Sequence, residues 1–330
     1  MRFLTPIAAA VLAAGSAHAA INPIPTTNGF SGSVGVGIAT NDVASNFYKV
    51  DGNERSEGLG NAPKSHNEGQ FMPSLDLRYT LADSRTQFVL GNQIHDQMRL
   101  DYSQQLAVRQ EVGANGIVSF GLVFNGIAPN EVWANPYASG ERSDTKRKSN
   151  GVRLGWEGIL GSNFSADITR RKIELDEERS GLGLGLSSAE RALLDRNGDV
   201  TRVNVSYDWE FAPGQFLAPG VVYAEHDLDG RAMSSKSTGL KLDYGIRTGT
   251  GVFTTTAYVG KQDYDAANPI WNRKADADEY VIGVNYLHGK LFGYKQLSGY
   301  VNAAYGKSDS DIDFFDTEVS RVGAGVRYSF

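Results

Sequence analysis

The 330-residue chain has no cysteine. Beyond its first twenty residues it has no run of eighteen consecutive apolar residues. The first shortage excludes a disulfide scaffold. The second excludes a transmembrane helix. Long helical patterns are also missing, and a soluble globule of this length would normally show them or divide into two domains. Histidine is scarce, and no nucleophile-elbow motif of a lipase is present. What is abundant instead is glycine (38), tyrosine (15) and phenylalanine (15), in a chain of formal net charge −6.

Those residues are arranged with a period of two. In Ser320–Phe330 (SRVGAGVRYSF), Val322, Ala324, Val326, Tyr328 and Phe330 share one face, while Arg321, Gly323, Arg327 and Ser329 share the other. Strict alternation of that kind is a β-strand with unlike faces. The same pattern predicts strands at Phe30–Ala39, Phe71–Leu81, Thr86–Ile94, Leu100–Val112, Ile117–Phe124, Gly151–Ile159 and Phe164–Ile173. It continues through Thr201–Phe211, Phe216–Ala224, Gly239–Arg247, Val252–Val259, Glu279–Leu287 and Gln296–Gly306 to the final strand. The expected fold class is all-β: an antiparallel transmembrane β-barrel of about fourteen strands, with twelve or sixteen as the neighbouring even counts.

The connections alternate in kind. Ala82–Arg85, Gly113–Gly116, Leu160–Asn163, Ala212–Gln215 and Thr248–Gly251 are short and rich in turn formers. Asn41–Gln70, Asn125–Asn150, Glu174–Val200, Glu225–Thr238, Gly260–Asp278 and Lys307–Val319 are longer and polar. Short periplasmic turns and long extracellular loops account for this alternation, with both termini in the periplasm. Two links fit poorly: Ile94–Arg99 is short for an outer loop and Leu287–Lys295 is long for a turn.

The two faces differ in chemistry. Leu75, Leu77, Tyr79, Phe120, Val205, Trp209, Ile282 and Tyr286 belong to the face expected in hydrocarbon. The opposite face carries ten cations and nine acids, and burial in lipid would cost about 2–4 kcal/mol for a basic residue near the midplane. It must therefore point into the lumen. Arg99, Asp101, Arg109, Glu111, Arg153, Arg202, Asp208, Lys241, Asp243 and Arg327 are the candidate lumen-lining pore charges. Near-balance of the two signs argues against strong ion selectivity from the wall.

At the other end, Arg2, the apolar run Ile7–Ala14 and Ala17-His18-Ala19 have the layout of a secretory signal peptide. Residues 1–19 are expected to be removed, leaving 20–330 as the barrel domain. The closing GVRYSF, ending on Phe330 with no tail, resembles the last strand of Gram-negative outer-membrane barrels, where a terminal Phe is part of the assembly signal. With FSGSVGVGIAT (30–40) and FMPSLDLRYTLADSRTQFVLGNQ (71–93), it also resembles an uncharacterised, porin-like family of outer-membrane barrels. The resemblance implies the cell outer membrane as location. The partners it implies are outer-membrane lipid, lipopolysaccharide, the barrel assembly machinery and small polar solutes.

Functional expectations follow from the lumen and loops. The first is a narrow passive channel for small hydrophilic solutes. An alternative is a closed barrel acting through its outer loops in surface interaction or adhesion. A third is a rim-site hydrolase built around His226, although Glu225-His226-Asp227 is a weak signal because adjacent strand residues face opposite ways. Loop aromatics Phe47, Tyr48, Trp133, Tyr137, Trp271, Phe314 and Phe315 suit either sugar stacking or loop packing. The acidic Lys307–Glu318 reads as a solvated loop. Asp195–Asp199 imitates the start of a calcium loop but lacks the turn glycine and the bidentate Glu. A small helix is expected at Ser187–Leu194. No cofactor, no metal and no nucleic-acid partner is indicated.

Overall fold

Alternating side chains, tight turns and the need to satisfy every backbone amide in lipid lead to a closed sheet. The computed structural model describes residues 22–96, 101–125 and 130–330, with side chains for all of these except 94–96, 101, 102 and 130. The expected signal peptide, Arg99 and the side chains of His95 and Asp101 therefore lie outside the described residues.

The strands run in order as β1 (Gly29–Ala44), β2 (Ser65–Leu81), β3 (Thr86–Asp96), β4 (Asp101–Glu111), β5 (Ile117–Phe124) and β6 (Asn130–Trp133). Then come β7 (Asp144–Glu157), β8 (Phe164–Leu175), β9 (Gly198–Tyr207), β10 (Trp209–Ala212) and β11 (Gln215–Leu228). The last are β12 (Ser235–Thr248), β13 (Gly251–Tyr264), β14 (Ala277–Gly289), β15 (Leu297–Ser310) and β16 (Thr317–Ser329). Strand β6 is a short loop strand that pairs with β7 alone, and β9 and β10 are one wall strand interrupted at Asp208. The wall thus has fourteen antiparallel strands.

Closure is made by β16 on β1, in register from Ser33↔Ser329 to Ala44↔Glu318. Phe330 and Gly32 exchange backbone hydrogen bonds, each 3.1 Å. The terminal residue therefore completes the seam. Between β10 and β11, Pro213 and Gly214 make a two-residue turn, with Gly214 at φ 72° in the position of a turn that excludes most side chains. The link that looked too long for a turn, between β14 and β15, contains one 3-10 turn at Leu291–Gly293. It leaves Phe292 and Tyr294 exposed beside the periplasmic rim.

The outer face is apolar where a membrane must sit. Phe30, Ile38 and Leu240 are 68%, 70% and 63% exposed, which is tolerable only in hydrocarbon. Rings gather at the periplasmic end of that band: Phe30 against Tyr79 at 4.8 Å, Phe164 against Tyr207 at 5.0 Å, and Trp209 against Phe211 at 5.6 Å. Trp156 donates its indole N–H to the Asn115 carbonyl at 2.8 Å, keeping its polar edge at the turn.

The outer ends depart from the sequence reading. Strand β7 begins at Asp144 rather than Gly151, and β12, β13 and β15 each run four or five residues further outward than the alternation indicates. The ladder continues through Arg147↔Leu175. Beyond the membrane both faces of a strand meet polar surroundings, so alternation fades although pairing persists. As a result the loops after β11 and β15 are short, at residues 229–234 and 311–316.

Candidate functional site

The inward face encloses a cavity of about 490 Å³ reaching from Asn22 and Glu157 near the periplasmic end to Phe47, Met233 and Phe315 under the outer loops. Its polar side chains are braced in pairs. Arg78 grips Asp76 through two bonds of 2.7 and 2.8 Å. Arg109 donates to Gln87 (2.9 Å), Glu157 (2.9 Å) and the Asn22 carbonyl (2.7 Å). Arg153 lies 3.2 Å from Asp167, whose other oxygen accepts from Asn204 at 3.0 Å. Lys241 pairs with Asp243 at 2.9 Å. Such bidentate and shared contacts hold long side chains against the wall and keep the centre clear.

The signs do not balance. Among the described residues, eleven of those facing the cavity are Arg or Lys, and five are Asp or Glu. This corrects the expectation of a near-neutral lumen. Glu111, the last residue of β4, pairs with Arg85 in the β2–β3 turn and is absent from the cavity wall. Asp208 sits at the break between β9 and β10, where it accepts from Ser165 at 3.1 Å, and it too lies off the cavity wall. Both occupy strand ends, where alternation no longer reports which side is lumen. Arg109, Arg153, Arg202, Lys241, Asp243 and Arg327 face the cavity.

Arg147 and Arg196 also face it and escaped the sequence reading. Arg147 lies in the polar Asp144–Asn150 stretch that carries no alternation, and Arg196 sits in a loop. Its pairing with Glu178, 2.9 Å away, and its bond to the Ala134 carbonyl at 2.9 Å anchor it there, and no spacing rule would find those contacts.

Five of the cations, Arg147, Arg153, Arg171, Arg196 and Arg202, lie on β7 to β9 and the loop between β8 and β9. Arg153 pairs in register with Thr169, and Thr169 with Arg202, so the two arginines are two strands apart, about 10 Å. Arg171 is two residues along β8 and donates to Ser149 at 2.9 Å. Arg202 has neither an ion pair nor a hydrogen bond among the described residues. Apolar groups occur elsewhere on the inward face: Val252, Leu287 and Tyr300 form a buried patch with Met72 against it, close to Arg321 and Arg327, and the Phe216 ring lies over Gly245.

Above the cavity the loops do not behave as solvated coils. Tyr137, Leu194, Met233, Ile312, Phe314 and Phe315 form a buried core, with Phe47, Leu59, Leu186, Ile270 and Trp271 packed on it. These residues come from six outer connections around the rim. Tyr137, between β5 and β7, meets Trp271, between β13 and β14, with ring centroids 6.0 Å apart. Those two loops spring from nearly opposite sides of the fourteen-strand ring, so the core crosses the mouth. It is a dome.

Polar contacts lace it together. Arg142 donates to the carbonyls of Asn46 (3.0 Å) and Asn53 and lies 4.7 Å from the Trp133 ring centroid. Its burial pushes the guanidinium pKa down to about 10. Burial likewise pushes the Tyr137 phenol up, and the Tyr137 hydroxyl donates to Met233 at 3.3 Å. Lys49 binds Glu131 at 2.7 Å, and that hydrogen bond raises the lysine's pKa.

Phe47, Tyr137, Trp271, Phe314 and Phe315 are thus engaged in packing, the second of the two expected roles, and the acidic 307–318 stretch, expected to be solvated, buries Ile312, Phe314 and Phe315. Helix α1 (Ser188–Ala192) sits in the β8–β9 loop behind a reciprocal cap between Ser187 and Glu190. In the calcium-like stretch, Asp195 accepts from the Asn197 amide and side chain at 2.9 and 2.8 Å, closing a local turn. His226 faces the cavity while Glu225 pairs outward with Lys236, so the three residues of the suspected rim site are not brought together.

Among solved structures, the chain is similar to an anion-selective porin from Comamonas acidovorans (11% identity, 92% of this chain and 99% of that one, TM-score 0.42). It is also similar to a FadL homologue of Pseudomonas aeruginosa (12%, 91% and 90%, TM-score 0.45) and to the outer-membrane channel DcaP of Acinetobacter baumannii (12%, 92% and 96%, TM-score 0.43). No curated protein matches the chain. A family model does match, over residues 29–329 and hence the whole barrel from first strand to last, and the chain belongs to that family, described as "Protein of unknown function (DUF2860)".

Proposed function

We propose that this protein is an outer-membrane channel whose lumen admits small anionic solutes. The observation that carries the reading is the excess of cations on the cavity wall, eleven against five, with Arg202 unpartnered among the described residues. A basic surface inside a low-dielectric tube concentrates anions and repels cations. Paired arginines set the shape of the passage, and Arg202 is available to a passing carboxylate or phosphate. In this reading the chain is exported through a cleaved signal, is inserted by the assembly machinery using Phe330, and sits among lipid and lipopolysaccharide.

The test is the reversal potential of the refolded barrel in a planar bilayer under a potassium chloride gradient. A chloride preference that weakens in Arg202→Gln supports the reading. A cation preference in the wild type sinks it.

The dome favours a second reading, a barrel closed to its exterior that works through its loops. A correctly folded barrel that passes no current under any gradient would select it.

A further inference from the structure

Among the described residues, the ladder between β2 and β3 stops within the apolar band. Strand β2 pairs with β1 along its whole length, from Gly29↔Thr80 to Ala44↔Ser65. With β3 it pairs only from Leu81↔Thr86 to Asp76↔Gly91. From Leu75 outward, β2 has no ladder partner on that side among the described residues. Strand β3 is irregular a few residues further out: Ile94↔Tyr102 is followed by Asp96↔Asp101, so one extra residue on β3 makes a bulge. Bulges bend the strand that carries them. The first amide past the break, Leu75 N–H, is met by the Asn92 side-chain oxygen at 3.3 Å in place of a backbone carbonyl.

The break faces hydrocarbon. Leu75 lies opposite Val34 on β1, and the β1 residues further out, Val36 and Ile38, are exposed, as is Phe71. An unpaired strand edge in lipid costs several kcal/mol per group, and such an edge is tolerated where it borders a water-filled cavity. Ser74, Asp76, Gly91 and Gln93, beside the break, do line the cavity. The Ser74 hydroxyl is buried there with no partner among the described residues.

We propose that this break is a side port joining the lumen to the outer leaflet, and that it serves an amphipathic organic anion, a carboxylate on an apolar body. The substrate class rests on the anionic reading of the lumen given above; the port does not. The dome crosses the direct route outward, so a solute that enters the lumen leaves sideways. A sideways exit into lipid suits only a solute with an apolar part. The cavity offers both halves of a match: Arg153 and Arg202 on one part of its wall, and the buried Phe216, Val222 and Val252 on another.

The chain has no cysteine, so thiols can be placed at will. Leu75→Cys with Asn92→Cys puts one on each side of the break, at the next position in register. Uptake of 2-naphthoate into proteoliposomes is read after bridging the thiols with a bifunctional maleimide, and after capping them with a monofunctional one. Heat-modifiable migration reports folding. The expected result is loss of protein-dependent uptake in the bridged barrel and its retention in the capped one. Equal uptake in both overturns the port.

Asn92→Ala, which removes the oxygen holding the Leu75 amide, is expected to increase uptake without bridging; unchanged uptake counts against the port. Arg202→Gln separates the two readings. Uptake that depends on bridging but is indifferent to Arg202 keeps the port and removes the anionic substrate class.

Discussion

The dome and the lumen are built from the same chain, a few residues apart along each strand, yet they solve opposite problems. In the dome, apolar side chains from six loops exclude water: Phe314 is 0% exposed, and Phe47, Tyr137 and Trp271 stack on and around it. In the lumen, arginines and carboxylates brace one another along the wall and leave about 490 Å³ between them. The dome draws its stability from buried apolar area. The lumen draws little from that source beyond the Val252, Leu287 and Tyr300 patch, and the hydrogen-bonded wall holds it open. The difference teaches that the barrel wall should fold even where its loops fail to pack, whereas the loops need the barrel to bring them together.

The sharpest way to break the comparison is to hollow the dome. Phe314→Ala removes its central ring and should cost the loop core about 3–5 kcal/mol. The barrel should still migrate as a folded, heat-modifiable species, while limited proteolysis should now cut the outer loops. An unchanged cleavage pattern would mean that the loops are held by something other than their aromatic core. Arg142→Met is next. It abolishes the bonds to the Asn46 and Asn53 carbonyls and should loosen the β1–β2 loop by about 1–3 kcal/mol, read as faster amide exchange at residues 46–53.

Acidity sharpens the contrast further. Asp316, in the β15–β16 loop, has its carboxyl pKa raised by burial, although the Ser310 N–H (2.8 Å) opposes the shift. A folded-state pKa above the unfolded one means that the folded loop binds the proton more tightly. Its stability then gains as pH falls through the raised value and loses as pH climbs through it. Proteolysis of the loops should slow on moving from neutral to mildly acidic pH, and Asp316→Asn should flatten that dependence. The smallest effect belongs to Ser187→Ala, which removes the cap of α1 and should cost about 1 kcal/mol confined to that helix. Exchange should rise at residues 188–192 and nowhere in the barrel wall.

Much of the wall was legible before any coordinates. Leu75 against Asp76, Val203 against Arg202, and Tyr328 against Arg327 alternate because lipid lies on one side and water on the other, and that contrast writes itself into successive residues. The lumen positions of Arg109, Arg153, Arg202, Lys241, Asp243 and Arg327 follow from the same parity. Glu111 and Asp208 were misplaced because parity loses its meaning at a strand end or a bulge. The dome was not legible. Phe47, Tyr137, Trp271 and Phe314 are separated by scores of residues, and nothing local distinguishes a loop ring that meets another ring from one that faces solvent.

By itself, then, the sequence determined the barrel: the period, the turns between strands and the terminal Phe330 are local signals, and local signals survive in a linear string. The tertiary structure alone decided three things: the sign of the lumen, the roof over it and the break between β2 and β3. Each depends on which residues distant in sequence end up facing one another once the ring closes.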